Sequence, residues 1–149
     1  MALIYLDNCC FSRPFDDQTQ DRIRLESEAV LLILGHVVRG EWELVRSEAI
    51  DLEVAGLRDV ERRRRVEVLV SAGTYHVSVG EDQLRRGTKL ESLGFGAYDA
   101  LHIACAEAAV ADVLLTTDDR FVRRARRLHN ELGVPVMNPL TWLRSLVTE

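Results

Sequence analysis

Lysine is almost absent from this 149-residue sequence, in which Lys89 is the only one. The basic charge is therefore nearly all arginine, and 24 acidic against 19 basic side chains leave a formal net charge of −5. Domains that coat nucleic acid by bulk attraction usually have a basic pI, so this balance argues against that class of protein. Any contact with nucleic acid is expected to be local.

Long apolar runs and metal-type cysteine spacings are also lacking. No run approaches the ~18 apolar residues of a membrane span, and the N-terminus has neither a basic leader nor a small-residue cleavage site. We therefore expect no membrane association and a cytoplasmic location. The three cysteines, Cys9, Cys10 and Cys105, form no CxxC motif, and we interpret them as small buried residues in a reducing compartment.

Linkers and repeats are missing as well, because the three prolines and nine glycines are scattered along the chain. A chain of this size can bury about 68–70% of its unfolded surface without disulfides. We therefore predict a single domain over residues 1–149.

Short apolar segments alternate with amphipathic segments along the chain. This alternation predicts an α/β protein with a parallel sheet covered on both faces by helices. The predicted strands are 3–6, 43–46, 74–79, 113–115 and 134–137. The predicted helices are 18–39, a short helix from 47 to 55 with Ser47 as a cap, 59–72, 82–93, one from Asp99, 120–132 and 139–146, and residues 9–17 are predicted as a loop.

Two of the predicted strands end abruptly in an acidic residue. Asp7 follows the apolar run of residues 3–6, and Asp118 follows VLLTT. In open parallel sheets ligands bind outside the carboxyl ends of the strands, so we expect both carboxylates at one edge of the sheet. The alternative for Asp7 is a residue that starts a turn or caps a helix.

Two further acids are candidates for the same edge. Asp99 begins a predicted helix after a GFGAY turn, where it serves either the site or the helix as a cap. Glu53 lies in the helix after the second strand, and its alternative is an ordinary surface glutamate. Neighbouring acids compete for two of the positions: Glu48 and Asp51 for that of Glu53, and Asp119 for that of Asp118.

Four segments carry a resemblance to a known family. YLDNCC at the N-terminus, the S-x5-E spacing of Ser47 and Glu53, YDALHIACA around Asp99 and LLTTDDRF around Asp118 resemble PIN-domain nucleases in order and spacing, and look most similar to small bacterial VapC-type toxins. The resemblance implies a three-layer α/β/α sandwich with a central parallel sheet. It also implies an acidic pocket that holds Mg²⁺ or Mn²⁺ for RNA cleavage. The implied catalytic residues are Asp7, Glu53, Asp99 and Asp118, with Asp7, Asp99 and Asp118 as metal ligands.

The chemistry explains why such a site needs carboxylates. Crowded carboxylates repel one another, and a divalent ion with hard oxygen ligands removes the conflict and neutralises charge on a phosphate.

Four other residues are candidate substrate contacts: Asn8, Arg13, His102 and Arg120. His102 is otherwise a partly buried packing residue, and the two arginines are otherwise partners of the acids.

The first motif departs from the family pattern. Asn8 stands where the family frequently has threonine or serine, and Cys9 stands where it frequently has asparagine or serine. If these positions orient the metal or water, activity is reduced. The resemblance implies a metal-dependent endoribonuclease with RNA as substrate, as the toxin of a toxin–antitoxin pair with an antitoxin partner. Together with the many apolar residues of the long early helices, it also implies a homodimer. The alternative is a catalytically weak PIN-fold module that binds RNA or a partner protein.

Another enzyme class also places an aspartate at a strand end. Phosphoaspartyl phosphatases and receiver domains generally need a DxD pair or a lysine near the acyl phosphate. The first strand here ends in DNC, and Lys89 lies in a predicted helix. The sequence therefore disfavours this class.

Overall fold

The central element is a five-stranded sheet in which every neighbouring pair of strands is parallel. A computed structural model describes residues 1–147 of the chain. The spatial order is β3-β2-β1-β4-β5, so β1 lies in the middle. The strands are β1 (Leu3–Leu6), β2 (Glu43–Ser47), β3 (Tyr75–Val77), β4 (Val113–Leu115) and β5 (Val136–Met137).

Helices connect successive strands and complete the predicted α/β/α sandwich. In the described residues they are α1 (Asn8–Ser12), α2 (Asp21–Val38), α3 (Glu48–Ala55), α4 (Val60–Val70), α5 (Glu81–Ser92), α6 (Ala97–Ala108), α7 (Asp119–Arg127) and α8 (Pro139–Val147). Two short 3-10 turns follow α1 and α7, at Arg13–Phe15 and His129–Glu131. No helix within residues 1–147 is long and apolar enough to cross a membrane.

Burial explains why β1 and β4 form the centre of the sheet. Ile4, Tyr5 and Leu6 are fully buried, as are Leu114 and Leu115 on β4. A strand that is buried on both faces needs helices on both sides, and continuous apolar sequences such as LIYL and VLL are typical of it. The core therefore lies on both faces of these two strands.

The fold-class prediction is confirmed, but several predicted boundaries are wrong. Residues 9–17, predicted as a loop, contain all of α1 except its first residue, Asn8, and also the turn Arg13–Phe15, whose first residues include Pro14. The sequence there has no helical periodicity because the segment is only one or two turns long. The helix predicted over 120–132 ends at Arg127, where a 3-10 turn replaces it.

Helix α2 differs from the amphipathic pattern in one important respect. It begins at Asp21 rather than at residue 18, and its buried face includes Glu26, which is only 2% exposed. Periodicity of apolar residues cannot predict a buried carboxylate. Arg22 of the same helix donates to Glu26 Oε2 at 3.2 Å, and two further partners come from elsewhere in the chain. Arg13 donates to Glu26 Oε1 at 3.0 Å and Asn138 donates to Oε2 at 2.6 Å.

Candidate active site

The order of the strands creates a crevice beside β1. After β1 the chain forms β2 and β3, which lie on one side of β1 within the sheet. It then forms β4, which lies on the other side of β1. Parallel sheets bind ligands where the order reverses in this way, outside the carboxyl ends of the strands. In the β1–β4 register Leu6 lies opposite Leu115, so the residues that follow both strands meet at this point.

Asp7 is held at the crevice by the chain that follows β4. Its backbone N–H donates to the Leu115 carbonyl at 2.9 Å, and the Thr116 hydroxyl donates to Asp7 Oδ2 at 2.8 Å. Asp7 occupies the N-cap position of α1, yet its side chain makes no capping hydrogen bond. With only 5% of its surface exposed, the residue directs its carboxylate toward neighbours across the sheet.

Asp118 lies at the same edge but has a different environment. Its Oδ1 accepts hydrogen bonds from the backbone N–H groups of Arg120 and Phe121, so it caps the exposed N-terminus of α7. Its own N–H donates to Thr116 Oγ1 at 3.1 Å. Thr116 therefore bonds to both Asp7 and Asp118, and it fixes the two predicted acids on one edge of the sheet.

Glu53 and Asp7 meet on either side of a buried histidine. His102 Nε2 lies 2.8 Å from Glu53 Oε1 and 3.5 Å from Asp7 Oδ1. One donor atom from each of the three residues lies within 4.8 Å of the others, a spacing that could hold a metal ion. Glu53 is therefore not an ordinary surface glutamate, and His102 is fully buried rather than partly buried.

A buried chain of polar side chains fixes the imidazole from behind. His102 Nδ1 lies 2.6 Å from the Tyr5 hydroxyl, which lies 2.7 Å from Ser47 Oγ. The Ser47 oxygen also accepts the Ile50 N–H and so caps α3, as the sequence predicts. Burial raises the pKa of Tyr5 well above its usual value, so the phenol stays neutral. Sequence reasoning missed this chain, and the only local signal was a tyrosine within an aliphatic strand.

Asp99 lies in the first turn of α6, whose N-cap is Gly96. Of the two alternatives for Asp99, the cap of the helix is therefore wrong. Burial, together with the negative charges of Asp7, Asp118 and Glu53, raises the pKa of the Asp99 carboxyl to about 7 against the opposing effect of His102. Asp99 is thus electrostatically coupled to all three of the other predicted acids.

His102 is the basic side chain that contacts these acids. Burial lowers its pKa, but the hydrogen bond to Glu53 and the charges of Asp7, Glu53 and Asp99 outweigh burial and leave the pKa raised. A protonated imidazole would therefore offset part of the repulsion between the carboxylates.

The three competing acids have structural partners elsewhere. Glu48 Oε1 accepts the Val79 N–H at 2.8 Å, and Asp51 pairs with Arg46 at 3.3 Å. Asp119 forms two 2.7 Å hydrogen bonds with Arg22. None of these contacts involves Asp7, Glu53 or His102.

The other predicted substrate contacts, Arg13, Arg120 and Asn8, differ in whether their polar groups already have partners within the fold. Arg13 pairs with Glu26 and Asp16, so its charge is used inside the fold. Arg120 is exposed. Asn8 Oδ1 is the one buried side-chain oxygen or nitrogen in the described part of the chain without a hydrogen-bond partner.

Cys9 is the half-buried cysteine, and it lies within the site. Its thiol is 3.4 Å from Asp7 Oδ2 and 3.2 Å from Thr116 Oγ1, and it accepts the Thr117 N–H. All three cysteines are free thiols. Cys9 therefore contributes polar contacts at the position where the family frequently has asparagine or serine.

The donor set fits a divalent cation. Asp7 and Glu53 provide carboxylate oxygens, and Asn8 retains an unpartnered amide oxygen next to Asp7 in the sequence. Hard oxygen donors suit Mg²⁺ and Mn²⁺, whereas imidazole also suits softer ions.

Comparison with known proteins agrees with this geometry. Residues 4–127 match the sequence profile of the PIN domain, so the chain belongs to the PIN domain family. No curated protein sequence matches the chain.

Two solved structures share the fold. The structure of VapBC2 from Rickettsia felis, bound to a DNA fragment from its promoter, aligns with a TM-score of 0.58 at 14% identity, covering 91% of this chain and 98% of that one. PAE2754 from Pyrobaculum aerophilum aligns with a TM-score of 0.53 at 16% identity, covering 99% and 91%.

Proposed function

We propose that this protein is a Mg²⁺- or Mn²⁺-dependent endoribonuclease that acts as the toxin of a toxin–antitoxin pair. The observation that carries the proposal is the meeting of Asp7, Glu53 and His102 at the crevice, with Asp99 coupled to the same charges. Membership of the PIN domain family supports hydrolysis of phosphodiester bonds as the reaction.

Asp7, Asp99 and Asp118 remain the proposed metal ligands, and Glu53 completes the acidic set. The donor atoms that lie within 4.8 Å of one another belong to Asp7, Glu53 and His102, so Asp99 and Asp118 are proposed to join the ion from farther away. A divalent ion bound among them would neutralise charge on the scissile phosphate and lower the pKa of a water molecule. Thr116 orients Asp7 through a hydrogen bond to its Oδ2. The N-terminus of α7 holds Asp118, because two backbone N–H groups fix one of its oxygens.

Asp99 and His102 hold protons beside the site in the metal-free protein. Because the pKa of Asp99 is raised to about 7 there, a divalent cation must displace a proton from this carboxyl near neutral pH. The Tyr5 hydroxyl holds the His102 ring so that Nε2 faces Glu53 and Asp7. Both residues therefore place a titratable group beside the carboxylates.

The test is a Mn²⁺ titration of cleavage with a structured RNA. We expect cleavage that requires the metal and is reduced at least 100-fold by Asp7→Asn. Asp82→Asn, which makes the same change on the exposed face of α5, is the matched control and should cleave normally. Cleavage that persists in EDTA, or in Asp7→Asn, would refute the proposal.

A protein partner is supported by an apolar surface between α2 and α8. Leu25, Leu32, Leu140, Leu143 and Leu146 line a groove of about 590 Å³, and Leu32 is half exposed. We propose that the protein forms a homodimer and binds an antitoxin in the cytoplasm. The complex solved for the Rickettsia felis protein supports an antitoxin partner. Light scattering that finds a strict monomer at micromolar concentration would contradict the dimer.

The second candidate is a PIN-fold module that binds RNA or protein without cleaving. It is favoured by His102, whose positive form would satisfy the acids without a metal ion. It is favoured also by Asn8 and Cys9, which depart from the family pattern. RNA binding that persists while no Mn²⁺ concentration gives cleavage would support this module over the enzyme.

A further inference from the structure

Helix α7 carries most of the unmatched positive charge of this acidic protein. Its nine residues contain five arginines and one aspartate, although the chain as a whole has a net charge of −5. The single acid, Asp119, is already bound by both terminal guanidinium nitrogens of Arg22. The arginines of α7 are therefore not neutralised from within the helix.

Several arginines outside α7 form ion pairs, whereas the exposed arginines of α7 form none within the described part of the chain. Arg13, Arg22, Arg62 and Arg86 all bind carboxylates in the fold. Within residues 1–147, no carboxylate lies within ion-pair distance of the exposed arginines of α7, which are Arg120, Arg123, Arg126 and Arg127. A cluster of guanidinium groups without acidic partners is a surface that attracts an anionic ligand.

Four of these side chains share one groove. Arg120, Arg123, Arg124 and Arg127 line a groove of about 300 Å³, which we call the α7 arginine groove. Their spacing of three, four and seven residues places them on one face of the helix. From Arg120 to Arg127 the helix rises about 10.5 Å, so the groove is long enough to contact more than one phosphate of a strand.

The α7 arginine groove begins at the acidic site. Asp118 caps the first turn of α7, and Arg120 follows two residues later. Arg124 donates a hydrogen bond to the Gly94 carbonyl, and Phe121 packs edge-on against Phe95 with ring centroids 5.9 Å apart. These contacts fasten α7 to the turn that leads into α6 and Asp99. A strand lying in the groove would thus lead toward the acids.

We infer that the α7 arginine groove binds the phosphate backbone of single-stranded RNA on one side of the scissile bond. The inference rests on the proposed function, because it extends the substrate path of the same site. Arginine forks bind phosphate oxygens in pairs, and contacts of this kind position a strand without reading its sequence. A single strand fits better than a duplex because Asp7, at the end of the path, is almost fully buried. Arg124 has a structural role as well, so Arg120, Arg123 and Arg127 are the testable contacts.

The test measures binding of a fluorescein-labelled 12-nucleotide single-stranded RNA in EDTA, where metal-dependent cleavage is blocked. The triple variant Arg120→Gln, Arg123→Gln, Arg127→Gln should bind about tenfold more weakly at low salt, and its log K against log[salt] slope should fall by about 2, or about 0.7 for each lost phosphate contact. The control variant Arg58→Gln, Arg64→Gln, Lys89→Gln removes the same charge from exposed residues on other parts of the chain. It should keep most of the slope, and both variants should melt as wild type does.

The outcomes separate this inference from the proposed nuclease activity. An unchanged slope in the α7 variant, equal losses in the two triple variants, or no RNA binding by wild type would overturn the inference. Duplex DNA or a polyglutamate peptide that binds as tightly as the RNA would overturn it too. A salt-dependence slope that falls only in the α7 variant supports RNA binding by the α7 arginine groove, even if Mn²⁺ gives no cleavage. The absence of cleavage would refute only the proposed nuclease activity.

Discussion

The acidic residues at the crevice differ in what neutralises each of them. Asp7 accepts a hydrogen bond from Thr116, Asp118 accepts two from the backbone of α7, and Glu53 contacts His102. Burial and the neighbouring charges instead raise the pKa of Asp99 to about 7. Asp99 is therefore the residue at which protons compete most directly with a metal ion.

Asp99→Asn should change how metal-free stability depends on pH. Because the folded pKa lies above the usual 3.8, the native state binds more protons than the unfolded state between about pH 4 and 7, and stability from this group falls as pH rises through that window. The raised pKa of His102 acts in the same direction at higher pH. The melting temperature of Asp99→Asn minus that of wild type, measured in EDTA, should increase from pH 4 to 7 and then level off. Glu81→Gln, an exposed control, should give a constant difference, and a flat curve for Asp99→Asn would contradict the prediction.

Variants of Glu53 and Glu48 should differ in how much Mn²⁺ raises their melting temperature. Glu48→Ala removes the acceptor of the Val79 N–H and should lower the free energy of unfolding by about 1 kcal/mol, while the thermal shift with Mn²⁺ stays normal. Glu53→Gln should keep most of the stability and lose much of the thermal shift. Scanning calorimetry with and without Mn²⁺ measures both quantities, and the reverse pattern would make Glu48 the second acid of the site.

At the scale of helices and strands, the features that could be predicted from the sequence are those that depend on neighbouring residues. Apolar runs located the strands, and the sudden acids after residues 6 and 117 located their carboxyl ends. The bond between Tyr5 and His102 joins residues 97 positions apart, so no local pattern contains it. Helix α1 was missed because one turn shows no periodicity. The burial of Glu26 was missed because two of its three partners, Arg13 and Asn138, lie on other elements.

Glu26 should be far more important for stability than the exposed ion pair beside it. It joins α2 to the turn after α1 and to Asn138 before α8, and it is 2% exposed. Glu26→Ala leaves Arg13 partly buried without that partner and should cost about 3–5 kcal/mol. Asp119→Asn breaks a pair whose acidic side chain is 51% exposed, and it should cost less than about 1 kcal/mol. Urea unfolding measures both changes, and equal losses would show that the buried cluster has no special role.

The whole molecule brings its acids together through strand order. β1 lies between β2 and β4, so the ends of β1 and β4 share one crevice although Asp7 and Asp118 are 111 residues apart in the sequence. A parallel sheet predicts a common edge for these acids, but not that their strands are neighbours. That adjacency depends on the complete packing of the sheet, and it converts two separate motifs into one charged site.

Metal binding should therefore stabilise the whole fold. A cation that binds only the native acidic cluster adds RT ln(1 + [L]/Kd), or about 2.7 kcal/mol at a hundredfold excess over Kd, so the melting temperature should rise with Mn²⁺ or Mg²⁺. Asp118→Asn removes one negative charge and one proposed ligand, while asparagine remains a favourable N-cap for α7. The metal-free variant should thus equal or exceed wild type in stability, and its gain from metal should shrink. The contrary result is a melting temperature that does not change up to millimolar Mn²⁺, in wild type and in Asp118→Asn alike. It would mean that the acids form no cation site and that the non-catalytic module is the better description.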